Sequence, residues 1–246
     1  MGDTILLDIE TFPNEGRFWG MYKQHILEVT KFTSVCCYSV KYLDGKQITR
    51  AIPDTDAYDE RDDLGLVSEL WNILDKAENV IAHYGDGFDL PSLRARFSKH
   101  SLGPPSPWRS IDTKKIGAKL FYFGGAYTLD HMCQYLGLGS KLDTGGYALW
   151  RDCLAGDRKA WANMKKYNAH DVVLLEKLYK HILPWINDHP NVASLPDGCP
   201  KCGSGQLQSR GVQRSATRTY NRFQCQTCGG WCRSTKSVGR ASVTNI

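Results

Sequence analysis

Two clusters of residues in this chain have types and spacings that could do chemistry. Near its start, Ile5-Leu6-Leu7-Asp8-Ile9-Glu10-Thr11 passes from an apolar run into two acids one residue apart. In a strand alternate side chains share a face, so Asp8 and Glu10 point together while Ile9 points into the core. Neighbouring carboxylates at the end of a buried strand repel each other unless a cation sits between them. Taken alone, Asp-x-Glu is also what a solvated strand end looks like. Near the other end, Cys199-Pro200-Lys201-Cys202-Gly203 and Cys225-Gln226-Thr227-Cys228-Gly229 form two C-x-x-C pairs. Four thiolates in that pattern suit one tetrahedral structural Zn²⁺ in a ribbon, with a hairpin between the pairs. A redox role would need only one pair. Glycine after each second cysteine suits the tight turn, and the metal should supply much of the folding energy of so small a segment. Cys232 is expected not to be a ligand. Cys36, Cys37, Cys133 and Cys153 lie in apolar settings and read as small buried hydrophobes.

Two further acidic pieces lie between these. Asp89 follows Asn79-Val80-Ile81-Ala82-His83-Tyr84-Gly85-Asp86-Gly87-Phe88 and precedes an expected helix, where a carboxylate can cap free N–H groups. Tyr167 and Asp171 are four apart in a helical segment and project from one face. Capping alone, or a solvated helix face, would also account for them. Asp86 and Asp112 are further acids with a weaker claim to a site.

The elements that must position these residues follow from periodicity and turn signals. Strands are expected at 4–8, 17–22, 32–43 and 46–51, the last two joined antiparallel by Asp44-Gly45. A turn is expected at 11–14 and an acidic loop at 54–63. The helix at 66–77 precedes a strand at 79–83 and a helix at 90–100, with Pro91 in its first turn. A rigid Pro-rich loop at 103–107, a brief strand at 110–113 and helices at 114–121 and 128–136 come next. The glycine-bearing loop 137–146 leads to a strongly helical 158–185, as one helix or two. Antiparallel strands followed by strands alternating with helices imply an α/β fold with a mixed sheet flanked by helices.

In order, Asp8-x-Glu10, Phe88-Asp89 and Tyr167-x-x-x-Asp171 resemble the DEDD superfamily of 3′→5′ exonucleases, which have the ribonuclease H-like fold. The tyrosine resembles the subgroup that includes polymerase proofreading domains. The other subgroup has histidine five residues before the last aspartate, and here that residue is Lys166, with His170 only a neighbour. The family's second motif usually carries asparagine where this chain has Tyr84, a change that puts substrate preference in question and that could place a ring against a base. Leu149-Trp150, Gly156-Asp157, Ala160-Trp161, Met164 and Tyr167-Asn168 resemble a narrower set of predicted bacteriophage exonucleases related to the exonuclease domain of family B polymerases.

The resemblance covers about residues 4–190 and implies two Mg²⁺ or Mn²⁺ ions held by Asp8, Glu10, Asp89 and Asp171, since hard cations prefer oxygen ligands. Two such ions roughly 3.5–4 Å apart activate a water and stabilise the leaving oxygen of a phosphodiester. Asp8 would bridge them, Glu10 and Asp171 complete the first site, and Asp89 serve the second. Tyr167, with a reference pKa near 10, would position the attacking water rather than act as a base. The implied substrate is nucleic acid, DNA rather than RNA, with a separate DNA polymerase or replication proteins as partners in replication or repair. A structure-selective endonuclease and a non-catalytic nucleic-acid-binding protein are the alternatives.

Composition and charge agree with this division of labour. The 246 residues, 41 % hydrophobic and 23 % charged, suffice for one sizeable core and a small addition. The expected domains are 1–190, ribonuclease H-like, and 191–246, a zinc-ribbon β domain. Of the net charge of +5, the segment after residue 190 carries +7, from eight basic residues against Asp197 alone. A basic tail on an acidic body suits a polyanion partner. Arg210, Arg214, Arg218 and Arg222 recur every four residues, and in an extended arm Arg218, Tyr220 and Arg222 share a face suited to phosphate contact and base stacking. A solubilising surface would account for the same charges. No apolar run reaches the roughly 18 residues of a membrane span. No signal peptide is expected from the acidic start that enters a strand at once, and Leu6 stands where N-myristoylation needs serine or threonine. The expected location is cytoplasmic, the host cytoplasm for a viral protein, and not secreted.

Overall fold

The computed structural model describes residues 3–20, 22 and 25–243. Met1 and Gly2, which figure in the reading against N-myristoylation, and Met21, inside the expected second strand, lie outside the described residues. Among the described residues, Ile116–Tyr122 with 179–243 form one compact unit, and those from 3 to 115 with Phe123–Leu178 form the other.

In the larger unit, β1 (Asp3–Phe12) leads to a small antiparallel pair, β2 (Glu15–Arg17) and β3 (Glu28–Lys31), then to the hairpin β4 (Ser34–Tyr42) and β5 (Gln47–Ala51). Next come α1 (Leu64–Leu74), β6 (Ala77–Ala82), α2 (Asp89–Lys99) and β7 (Arg109–Asp112). The sheet order is β5-β4-β1-β6-β7, with β5, β4 and β1 antiparallel and β1, β6 and β7 parallel. This is the expected mixed sheet, and β1, the strand of the two acids, is its centre.

Helices α3 (Thr113–Leu120), α4 (Leu129–Tyr135), α5 (Tyr147–Leu154) and α6 (Arg158–Ile182) follow. The expected strand at 17–22 is only three residues long and pairs with β3. Phe18, Trp19 and Tyr22 are exposed and non-strand, their aromatic content unsupported by a pleated partner. Helix α1 stops at Leu74, and Ala77, expected to end it, opens β6. Helix α5 was not expected. The 158–185 region is one helix, closed by a 3-10 turn at Leu183–Trp185 where Pro184 can donate no further hydrogen bond.

Alternation along β1 sorts the two faces. Ile5, Leu7 and Ile9 are buried in the core with Leu66, Leu70 and Leu74 of α1 and Leu90, Leu93 and Phe97 of α2. The register pairs Leu6 with Lys41, Asp8 with Ser39 and Glu10 with Cys37, so these six share the opposite face. Helix α6 lies on that face: Asn168 contacts Cys37, Gln47 Nε2 donates to Ala169 O at 2.9 Å, and Lys41 pairs with Glu176 at 3.2 Å.

A buried ion pair fixes α1 and α2 against the start of β4. Asp63, fully buried just before α1, accepts from Arg96 Nε at 2.7 Å and from Val35 N at 2.9 Å, and His100 Nε2 lies 2.7 Å from it. Arg96 also donates to Thr33 O. Removing one partner of such a pair leaves an uncompensated buried charge. Asp63→Ala is therefore expected to cost about 3–5 kcal/mol, read as a lowered urea midpoint with an unchanged slope.

In the smaller unit, β8 (Leu207–Arg214) and β9 (Arg218–Cys225) form the hairpin expected between the cysteine pairs, with β10 (Trp231–Arg233) and β11 (Gly239–Arg240) on the other side of β9. No helix among the described residues is long and apolar enough to cross a membrane.

Candidate functional site

Three elements and one loop bring the acids together. Ligand atoms of Asp8, Glu10 and Asp171 all lie within 4.8 Å of one another. Asp89 is the first residue of α2, not the residue before it, and its carboxylate accepts from Ile9 N at 3.1 Å, which ties it to β1 between the two acids. Capping alone therefore does not account for Asp89, whose carboxylate also reaches β1. Asp171 is fully buried, and neither of its oxygens has a regular hydrogen-bond donor. Among the described residues one ammonium answers this cluster: Lys141 Nζ, 2.6 Å from Asp171 Oδ2 and 3.0 Å from the Tyr167 hydroxyl. Tyr167 and Asp171 therefore do project together, as their spacing requires.

The electrostatics follow from burial. Burial raises the pKa of Asp8 well above the usual carboxylate range, and the charges of Asp89, Glu10 and Asp171 add to the effect. Burial lifts Glu10 to about 8 and Asp89 to about 7, against the backbone N–H groups that stabilise the Asp89 anion. Asp171 is also raised by burial, although Lys141 opposes it. Burial disfavours the Lys141 ammonium, but Asp171 overrides this and raises its pKa. Burial pushes Tyr167 up to about 12, so its hydroxyl keeps its proton. Four carboxylates against one ammonium form an under-neutralised oxygen cluster. That all-oxygen donor set fits hard divalent cations.

Two residues of this cluster have no role assigned from the sequence, although Asn168 stands in the Tyr167-Asn168 pair quoted above. Asn168, fully buried, donates from Nδ2 to Asp8 Oδ2 at 2.6 Å and fixes that carboxylate. It lies three residues before Asp171, a spacing that shares a helical face. Lys141 sits in the loop between α4 and α5, anchored by Lys141 N to Asp130 Oδ1 at 2.7 Å and by His170 to Ser140 O at 2.8 Å. No local pattern marks it.

Asp86 and Asp112 lie outside the group of close ligand atoms, as does Asp89, whose pKa the Asp112 charge helps to raise. Asp112 is buried and accepts from the backbone N–H groups of Tyr84, Asp86, Lys114 and Lys115 at 3.0–3.3 Å; Asp86 pairs with Lys115 and accepts from Ser110. Together they hold the turn that carries Tyr84. Tyr84 has φ +67°, a left-handed conformation uncommon for tyrosine. Its ring lies where a Cβ on Gly87 would come within 2.4 Å, and Lys114 Nζ is 3.7 Å from its centroid. Part of the surface expected to meet a base is therefore already engaged.

In the smaller unit, sulfur atoms of Cys199, Cys202, Cys225 and Cys228 lie within 4.8 Å of one another, none of them in a disulfide, and Cys232 stands outside the group. Four thiols so placed are consistent with a zinc ribbon. Lys201 is buried beside them and donates to Pro184 O at 2.6 Å.

Register sorts the arginines differently from their spacing. Arg218 pairs with Arg240 and Arg222 with Arg233, so all four share one face with Tyr220. Arg214 pairs with Thr219 on the other face, and Arg222 donates to Arg210 O across a bulge. Tyr220 is 9 % exposed with Arg233 3.9 Å over its ring, which covers the surface expected to stack on a base. Trp231, 47 % exposed beside Arg222, is the more open aromatic. Arg233 and Arg240 were missed because only strand pairing brings them to this face.

Residues 27–183 match the family model RNase_H_2, described as RNase_H superfamily. The chain belongs to the RNase H superfamily. Comparison with curated proteins gives no match. Among solved structures, the chain is similar to the family B DNA polymerase of the hyperthermophilic archaeon Pyrobaculum calidifontis, at 18 % identity and a TM-score of 0.56, over 75 % of this chain and 25 % of the polymerase. It thus spans about a quarter of that protein's length, and at this identity the likeness is one of fold. Membership in a superfamily of divalent-metal nucleases agrees with the acid cluster and with a nucleic-acid ligand.

The raised carboxylates make a sign-definite prediction for the metal-free protein. Groups whose pKa rises on folding bind more protons in the folded state, so stability falls as pH rises from about 4 towards the folded values near 7 and 8. Glu10→Gln removes one buried charge. At pH 8 with chelator it should raise Tm by roughly 5 °C, and at pH 5 by much less.

Proposed function

We propose that this nuclease-superfamily chain is a metal-dependent 3′→5′ exonuclease of the tyrosine DEDD subgroup, hydrolysing phosphodiester bonds of DNA at single-stranded or 3′ ends. The observation that carries the reading is the convergence of Asp8, Glu10 and Asp171 within 4.8 Å, with Tyr167 on the same ammonium as Asp171. Asp8, Glu10, Asp171 and Asp89 would hold two Mg²⁺ or Mn²⁺ ions, which when bound supply Lewis-acid stabilisation of the leaving oxygen and a more acidic attacking water.

The chain's own residues do the positioning. Asn168 holds one oxygen of Asp8 and leaves the other to face the cluster. The Ile9 N–H orients Asp89. Tyr167, protonated at neutral pH, orients the attacking water through its hydroxyl and does not serve as the base. Lys141 fixes that hydroxyl and offsets part of the negative charge that would otherwise repel a phosphate.

Residues 1–190 form the catalytic domain in this reading. Residues 191–246 form a zinc ribbon whose arginine face grips nucleic acid, the facing pairs Arg218–Arg240 and Arg222–Arg233 being like charges that a polyanion would relieve. The similarity to a family B DNA polymerase, together with the tyrosine, favours DNA over RNA and the exonuclease domain of such enzymes as the counterpart. A separate polymerase or replication proteins, a phage origin and a cytoplasmic setting belong to the same reading.

A 5′-labelled single-stranded DNA oligonucleotide with Mg²⁺ or Mn²⁺ tests it. A descending ladder is expected, abolished by EDTA and by Asp8→Ala, with Tyr167→Phe slower by about a hundredfold or less. Closed circular single-stranded DNA should remain intact. Cutting of the circle would favour a structure-selective endonuclease, and tight binding without metal-dependent cleavage a non-catalytic binding protein.

A further inference from the structure

Two neighbouring lysines at the start of α3 have different partners. Lys115 pairs with Asp86 at 2.7 Å. Lys114 forms no ion pair among the described residues, although its backbone N–H donates to Asp112 Oδ1 at 3.0 Å. Its ammonium lies instead 3.7 Å from the centroid of the Tyr84 ring. An aromatic face attracts a cation by about 0.5–2 kcal/mol but does not neutralise it. Lys114 is also the second residue of its helix, where the macrodipole favours an anion and disfavours a bare ammonium. An anion is what this position lacks.

The ring beneath that ammonium is fixed by its surroundings. The left-handed backbone of Tyr84 costs of order 1–3 kcal/mol and persists only where neighbours over-determine it. Here Tyr84 N donates to Asp112 Oδ1 at 3.1 Å, and the N–H groups of Gly87 and Phe88 donate back to Tyr84 O at 3.0 Å each. The ring fills the space that a side chain on Gly87 would need. Tyr84 is thus an exposed ring held in one place, with its face given to Lys114.

Position identifies the anion. The turn that carries Tyr84 runs directly into Asp89 at the head of α2. His83, just before Tyr84, has its pKa lowered to about 4 by burial, and the charges of Lys114 and Lys141 both reach it. Lys141 is committed to Asp171, whereas Lys114 is committed to no acid. Metal ions at the acids would serve the phosphate under attack, and the next phosphate of the strand needs a cation of its own. We propose that Lys114, seated on the Tyr84 ring, binds a backbone phosphate of the substrate strand beside the scissile one. Tyr84 is then the positioning residue for that ammonium and not a platform for a base. The proposal deepens the nuclease reading and rests on it for the identity of the anion.

The test uses the full chain carrying Asp8→Asn, in chelator, with a short 5′-fluorescent single strand of DNA read by anisotropy over a KCl series. Adding Lys114→Gln should weaken Kd by about five- to tenfold and flatten the slope of log K against log salt by about 0.7, the share of one phosphate. Lys114→Arg should restore most of both. Tyr84→Leu should reproduce the loss and Tyr84→Phe, which keeps the ring, should recover it. A single neutral methylphosphonate linkage is then walked along the strand. At one linkage near the 3′ end the Asp8→Asn chain should lose the same affinity, and Lys114→Gln should lose nothing further there. An unchanged slope in Lys114→Gln, or a loss that is the same at every linkage, overturns the phosphate contact. If the chain with Asp8 intact still cleaves in that case, the nuclease reading stands without it. A slope that flattens as expected in a chain that never cleaves supports the contact and counts against the nuclease reading. No binding of the strand by any variant overturns both.

Discussion

Burial of Asp8, Glu10, Asp89 and Asp171 beside one another, with their mutual repulsion added to it, sets the electrostatics of this fold. Four buried acids gathered at one site oppose folding when ionised, and each is carried by a regular element of the fold. Asp8 and Glu10 ride on the central strand, whose other face is locked into the core by Ile5, Leu7 and Ile9. Asp171 rides on a 25-residue helix. Asp89 is tied by a hydrogen bond to the backbone between the strand acids. Buried carboxylates with pKa values raised in this way mark a candidate functional site.

The surroundings limit the repulsion without abolishing it. Asn168 gives Asp8 a neutral partner, and Lys141 gives Asp171 a charged one. Because Lys141 is delivered by a loop anchored at its own backbone and at Ser140, the single compensating charge is as well placed as the acids themselves. The Asp63–Arg96–His100 cluster works at a distance, holding the start of β4 against α1 and α2.

Much of this is legible in the sequence, for definite reasons. The mixed sheet follows from the Asp44-Gly45 hairpin and the later strand–helix alternation, both local signals. The acids carry periodicities of two and four that fix their common faces, so spacing alone pairs Asp8 with Glu10 and Tyr167 with Asp171. What is lost depends on tertiary pairing. Lys141 lies in a loop whose path is set by contacts to Asp130 and His170. Arg233 and Arg240 join Arg218 and Arg222 only through strand register, whereas the four-residue recurrence points to Arg210 and Arg214. The short β2 and the exposed Phe18 and Trp19 show aromatic content exceeding what the sheet could use. Tyr84, out of pattern in the sequence, is out of pattern in the fold too, with a left-handed backbone secured by Asp112.

If this buried carboxylate cluster takes a divalent metal, burial keeps protons on its acids until the ion binds. Calorimetric titration of Mn²⁺ into chelator-stripped protein at pH 7.5, repeated in two buffers of different ionisation enthalpy, measures both binding and the protons it releases. With Glu10 near 8 and Asp89 near 7 before binding, the account predicts saturable binding with release of about one proton or more, lost on replacing Asp8 or Asp171. Binding that releases no protons, or no binding at all, would contradict it.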